Sequence, residues 1–223
     1  MGTGPDTGGW LEDTQASYDT VADSYADLTR HLLDETPEER AILASFADMV
    51  RAQGGGPVAD VGCGPGRITA HLRQLGVDAF GIDLSPGMIE VARRDHPGLR
   101  FDLGSMTDLA LADASLTGLV AWYSLIHVPD DDVSSVFAHF QRVLRPGGPL
   151  LLSFHVGDKP QLKTQGYGGH PMKVHVHHRR HGQVIAWLND AGFAVETSRT
   201  LASAESKLGG IILARRQVTD PAR

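Results

Sequence analysis

The chain has 223 residues, enough for one full-sized domain at ~100–200 residues per domain, and 41% of them are hydrophobic against 21% charged, an ordinary globular balance. Twenty Lys and Arg face 27 Asp and Glu for a formal charge of −7, with no basic stripe, which disfavours duplex nucleic acid as a partner. A single cysteine, Cys63, excludes an intramolecular disulfide framework and a Cys-only metal cluster. The first ten residues lack the charged and apolar regions of a secretory signal. The longest apolar runs, such as 149–154, fall far below the ~18 residues of a membrane span. The expectation is a cytoplasmic chain without a membrane partner.

Residues 1–14, rich in Gly, Thr and Asp, read as a mobile tail. Tyr18, Val21, Ala22, Tyr25 and Leu28 recur at helical spacing and predict a helix over 15–33. Thr36, Pro37 and Glu39 form a capping-box start for a helix through Ile42, Leu43, Phe46 and Met49 that dies at Gly54-Gly55-Gly56. The period then shortens. Residues 57–61, 77–82, 99–103, 116–123 and 149–155 read as strands, and 68–75, 86–96 and 131–144 as the helices between them. Ser85-Pro86 is a second cap-plus-proline start. A Gly-rich stretch over 163–172 leads to an alternating, edge-like strand over 173–178. A helix over 182–191 and strands over 193–200 and 210–215 finish the chain. Strand–helix alternation argues a doubly wound, mostly parallel α/β sheet.

Glycine is in excess, 26 residues against a usual ~7%, and its densest functional cluster is Asp60-Val61-Gly62-Cys63-Gly64-Pro65-Gly66. This loop follows the first strand and opens a helix, where the backbone of an open α/β sheet meets its ligand. The dinucleotide fingerprint G-x-G-x-x-G fails here because position 67 is Arg67. That mismatch speaks against a nicotinamide enzyme. Asp83, ending the second strand, suits the hydroxyls of a ribose.

These residues resemble the class I S-adenosylmethionine-dependent methyltransferases. The family's acidic-x-Gly-x-Gly-x-Gly loop is matched by Asp60, Gly62, Gly64 and Gly66, and its acid after the second strand by Asp83. Leu125-Ile126-His127-Val128-Pro129-Asp130, Leu144-Arg145-Pro146-Gly147-Gly148 and Gly192-Phe193-Ala194-Val195 match further motifs in order, so the likeness spans 57–215. Ser105, Thr117 and Ile126 depart from it, standing where the family usually has Asp, Asp and His. The resemblance implies a Rossmann-like seven-stranded sheet in a single domain over 1–223. It implies an N-terminal helical cap over 15–56 and a core over 57–215 with a lid insertion near 157–180. It also implies S-adenosylmethionine as cofactor and an O or N nucleophile of a small molecule as acceptor. A protein of this fold binding the same cofactor for another reaction is the alternative. So is a macromolecule-directed methyltransferase, which the His, Lys and Arg cluster over 173–181 keeps open. The Asn/Asp-Pro-Pro motif of base and amide methylators is absent after the fourth strand, where Trp122-Tyr123-Ser124-Leu125 stands. Oligomeric state is left open.

The resemblance places Asp60 at the loop and the amino-acid end of the cofactor, with Gly62 and Gly64 admitting the backbone. Asp83 takes the ribose. Leu84 and Met88 flank the adenine, Met88 serving equally well as core filler. Ser105 through its hydroxyl, or Met106 through its backbone, replaces the missing adenine acid. Trp122 borders the methyl site, and Tyr18 and Tyr25 close over the cofactor, or dock the helix as two aromatics. Cys63 reads as a small loop residue rather than a nucleophile. Methyl transfer from a sulfonium needs in-line alignment, which supplies up to ~7–11 kcal/mol, and a base adds ~10²–10⁴-fold. Histidine alone titrates unperturbed near neutrality. His155, ending the fifth strand, is therefore the favoured base, with His127 and Tyr123 beside it; His127 also suits a helix cap. His175 and His177 share a face of the edge-like strand, the spacing of metal ligands. No carboxylate lies nearby, and no metal is expected.

Overall fold

Apolar stripes at helical spacing set the first elements. The computed structural model describes residues 9–202 and 208–218. Helix α1 (Gly9–Thr29) buries Val21, Ala22 and Ala26. It takes in residues 9–14 of the expected tail, because Trp10 donates its indole N–H to Asp132 at 3.0 Å and fixes the first turn. The remainder of that tail lies outside the described residues. The expected helix over 15–33 stops at Thr29, where the buried stripe runs out and Leu28 is exposed, and a separate short helix α2 (Leu32–Glu35) follows. Helix α3 (Pro37–Ala52) starts with proline in its first turn as read, but Thr36 does not cap it. Its hydroxyl donates instead to the Leu32 carbonyl at 2.8 Å, freed by the end of α2.

The core alternates as β1 (Pro57–Val61), α4 (Arg67–Gln74), β2 (Asp78–Asp83), α5 (Pro86–Asp95), β3 (Phe101–Leu103), β4 (Gly118–Trp122), α6 (Asp130–Val143) and β5 (Pro149–Val156). The third and fourth strands are thus shorter than 99–103 and 116–123. A 3-10 turn at Leu125–His127 precedes α6. Then come β6 (Gln161–Gly166), β7 (His170–Val176), β8 (His178–Arg179), α7 (His181–Asp190), β9 (Phe193–Leu201) and β10 (Gly209–Arg216). The main sheet runs β3-β2-β1-β4-β5-β10-β9, parallel except for β10, which is antiparallel to both neighbours. These are the seven expected strands. The two-residue β8 adds an eighth beside the end of β5, where His155 faces His178. β4 and all of β5 but its last residue are buried, the near-continuous apolar runs of a covered parallel sheet.

Two expectations about the periphery change. The edge-like strand expected over 173–178 is divided: residues up to Val176 belong to β7, outside the main sheet, and only His178 joins that sheet, in β8. β6 and β7 pair with each other in a separate hairpin, turning at Tyr167-Gly168-Gly169, all three at positive φ. Its alternation serves helix α1, because Met172 and Val174 bury against Val21. Within the region read as a cap, α3 packs into the sheet core through Leu43, Phe46 and Val50, while α1 and Leu32 of α2 reach the strand ends. A Cβ on Gly118 would meet Phe46 and Val50 at 2.9 Å, which is why that strand opens on glycine. Strand order reverses at β1, between β2 and β4, and the crevice of such a sheet opens at the carboxyl ends there.

Candidate functional site

The loop after β1 is shaped by three glycines at positive φ, 77° at Gly62, 53° at Gly64 and 85° at Gly66. A Cβ on Gly62 would stand 2.2 Å from that of Ser124, so the loop can lie against the β4 turn only without a side chain. Gly64 donates its N–H to Asp83 Oδ2 at 2.7 Å, and Ser85 donates to Oδ1 at 2.9 Å. The carboxylate is thereby fixed at the rim with lone pairs to spare. Burial raises its pKa from the ordinary value. Asp60, at the end of β1, is fully buried. Thr69 donates to its Oδ2 at 2.7 Å, while Oδ1 has no hydrogen-bond partner among the described residues. Desolvation pushes its pKa up to about 7. Cys63 turns its thiol into the core against Gly81, and burial raises it far from thiolate character.

Beside the Trp10–Asp132 bond and ion pairs from Asp13 and Asp23, three further connections draw helix α1 over this loop. Asp19 accepts the N–H of Gly87 at 2.9 Å and the hydroxyl of Ser85 at 2.5 Å, at the start of α5. Ser17 accepts the N–H of Lys173 at 2.8 Å. The third is Tyr18, whose hydroxyl lies 2.7 Å from His127 Nε2. His127 Nδ1 lies 2.9 Å from the His175 carbonyl, which can only accept, so the proton sits on Nδ1 and Tyr18 donates to Nε2. Desolvation lowers the His127 pKa to about 4 and raises that of Tyr18, so both are neutral. The turn carrying His127 is itself held by Arg179, 1% exposed, which donates to the carbonyls of Leu125 and Val128 and to Asp130.

The first cavity lies between α1 and the ends of β1, β2 and β4. All eleven positions read as cofactor-binding line it, and Tyr123 and His127 line it as well. Ser105 is turned to local use: its hydroxyl pairs with that of Thr107 at 2.7 Å and accepts the Thr107 N–H at 3.1 Å. Met88 serves both readings, touching the cavity and packing with Ala22 and Ala26 of α1. A second cavity lies across Tyr18, Tyr25, Tyr123 and His127, which line both spaces. His155 lines the second only, 8% exposed, its ring 5.2 Å from that of Tyr123. Burial lowers its pKa to about 4. Tyr123 holds a left-handed φ of 48° and is fixed by its N–H to Ser153 at 2.8 Å. No cluster of three potential metal ligands occurs among the described residues; the rings of His175 and His177 stand 6.4 Å apart.

Sequence reasoning missed Trp10, Leu11 and Thr14, read as tail but lining the first cavity from α1. It also missed Arg67, which hydrogen-bonds Tyr25 and lies beside Asp60. The signal was present, since Arg67 is the residue that breaks the dinucleotide fingerprint. The site fits the adenosyl cofactor implied by its motifs. The unmatched Asp60 oxygen and Arg67 suit an ammonium and a carboxylate, Asp83 suits vicinal hydroxyls, and Leu84, Met88 and Met106 suit an adenine face.

Residues 58–148 match a methyltransferase-domain family. The demethylmenaquinone methyltransferase of Renibacterium salmoninarum is 31% identical over 144 residues, 64% of this chain and 58% of that protein. Among solved structures, the 1,6-didemethyltoxoflavin-N1-methyltransferase of Burkholderia thailandensis, bound to 1,6-didemethyltoxoflavin and S-adenosylhomocysteine, superposes with TM-score 0.67. It is 18% identical over 98% of this chain and 93% of its own. Magnesium protoporphyrin IX methyltransferase of Synechocystis PCC 6803, with bound S-adenosylmethionine, gives TM-score 0.69 and 17% identity over 97% of this chain and all of its own. At these identities the structural likeness speaks to the fold alone. The chain spans about half the length of the first sequence relatives it matches.

Proposed function

We propose that this chain is a class I S-adenosylmethionine-dependent methyltransferase and transfers a methyl group to an oxygen or nitrogen of a small molecule. One observation carries the reading: Tyr18, Tyr25, Tyr123 and His127 form a wall shared by the two cavities. The motif-bearing cavity is assigned to the cofactor and the other to the acceptor, so the transferred carbon crosses at this wall. When bound, S-adenosylmethionine supplies an electrophilic methyl, whose bond to sulfur breaks with its electron pair going to sulfur as the acceptor lone pair takes the carbon.

The chain's own residues do the rest. Asp60 and Arg67 hold the amino-acid end, Asp83 the ribose, and α1 shuts out water. The lost proton passes to Tyr18 as Tyr18 gives its own to His127 Nε2, leaving an imidazolium braced by the His175 carbonyl. The positive charge would then rest on His127, whose Nδ1–H is held by the His175 carbonyl. His155 borders the acceptor. The lid role of α1 and the β6–β7 hairpin belongs to the same proposal.

The test is to incubate the protein with S-adenosylmethionine and a panel of phenols, amines and carboxylic acids, and follow mass gain of one methyl with S-adenosylhomocysteine release. On a productive acceptor, Tyr18→Phe and His127→Gln should each lower kcat by ~10²–10⁴-fold with cofactor affinity retained. No binding of S-adenosylmethionine, or normal turnover in both variants, overturns the reading or the proton route respectively.

A further inference from the structure

We propose that the second cavity takes an acceptor carrying a carboxylate, received by Lys163, His155 and His178 of its lining. The inference rests on the assignment of that cavity to the acceptor. Its described lining holds one lysine, three histidines and no Asp or Glu, in a chain of net charge −7. Such a local reversal of sign within low-dielectric walls draws in an anion. Lys163, on β6, enters no ion pair among the described residues. Its ammonium rests 3.7 Å over the centre of the Tyr167 ring, which orients the charge without neutralising it.

Beside it, His155 and His178 stack with ring centres 5.4 Å apart. The Nδ1 atoms of both are buried and lack a hydrogen-bond partner among the described residues. Buried polar groups are satisfied in the great majority of cases, so two neighbouring orphans point to a ligand that satisfies them. Each imidazole carries an N–H, and a carboxylate, with two oxygens and no donor, can accept from whichever of these the cavity exposes and from Lys163. The charge on Lys163 adds to the lowering of the pKa of both His155 and His127, so its field spans the cavity to the wall. Tyr123, Ile126, Val156 and Tyr167 of the same lining supply apolar and aromatic surface for the rest of the acceptor. A neutral acceptor would leave the charge of Lys163 uncompensated there.

The experiment uses the full chain saturated with S-adenosylhomocysteine and matched pairs of probes: 4-hydroxybenzoate against 4-hydroxybenzamide, and 4-aminobenzoate against 4-aminobenzamide, titrated by calorimetry. Each acid should bind about ten- to hundredfold tighter than its amide, the scale of hydrogen bonds to a charged partner. Lys163→Met should collapse that preference without changing S-adenosylhomocysteine affinity. Equal affinities within each pair, a preference that survives Lys163→Met, or no acid bound at about 10 mM overturns the inference. Failure of S-adenosylhomocysteine itself to bind overturns the cofactor assignment and this inference with it.

Discussion

Asp60 ends a buried strand with one oxygen satisfied by Thr69 and the other unmatched, and desolvation raises its pKa to about 7. Above that pH the free protein keeps a buried charge without a counter-ion at Oδ1; below it, the carboxyl is neutral. An incoming ammonium favours the ionised form, so binding must expel a proton wherever the free carboxyl holds one. The affinity for S-adenosylhomocysteine should therefore fall as pH drops below about 7, by up to about tenfold per unit. Calorimetry at about pH 6 in buffers of different ionisation enthalpy would register the released proton. Asp60→Asn should weaken binding by about 1.5–3 kcal/mol and abolish the proton release. The place of Asp60 before the glycines marked it as a candidate, and the structure puts it in the lining of the first cavity. Its orphaned oxygen was not legible, because the partner that satisfies one side, Thr69, comes from the following helix and only the fold brings them together.

Helix α1 owes its position to groups that no periodicity reveals. Asp19 lies on the exposed side of the helix and yet accepts from Ser85 and Gly87 at the start of α5. Gly87 makes this possible, since a Cβ there would come within 3.2 Å of the Asp19 backbone. Because Asp19 is exposed, its loss should cost only about 0.5–1 kcal/mol of stability, the lower part of the range for a helix cap. Its larger effect falls on closure. Asp19→Ala should speed dissociation of S-adenosylhomocysteine more than it slows association, measurable by stopped-flow fluorescence of Trp10 and Trp122 at the cavity. Unchanged dissociation would remove this contact from the closure of α1. The strand–helix alternation, the glycine loop and Ser85 as a true cap were all readable, because each is a local pattern. The hairpin, the Tyr18–His127–His175 chain and the burial of Arg179 were not. They join residues far apart in sequence, and within the polar run over 173–181 only the fold shows that Val174 and Arg179 are buried while Lys173, His175 and Arg180 stay exposed.

At the scale of the whole molecule, burial acts on the histidines in one direction. His71, His96, His127, His155, His177 and His181 all have pKa values lowered by desolvation, three of them to about 4. The unfolded chain would protonate each near 6.5. As pH falls from about 6.5 toward 4, the unfolded state therefore binds protons that the folded state refuses, and stability declines. Asp60 and Asp83 work oppositely, since their raised pKa values let the folded state bind protons before the unfolded one does. Their contribution is lost as pH rises and regained as it falls. Six groups outweigh two, so thermal unfolding should show a Tm that drops steadily between about pH 6.5 and 4. The two acids also allow the balance to be checked from the other side. Asp60→Asn removes one opposing group, and its Tm should fall more steeply over the same window than that of the unaltered chain. A Tm flat from about pH 7 to 4 would mean that the histidines are solvated in solution, and the closed arrangement of α1 over the strand ends would fail with them.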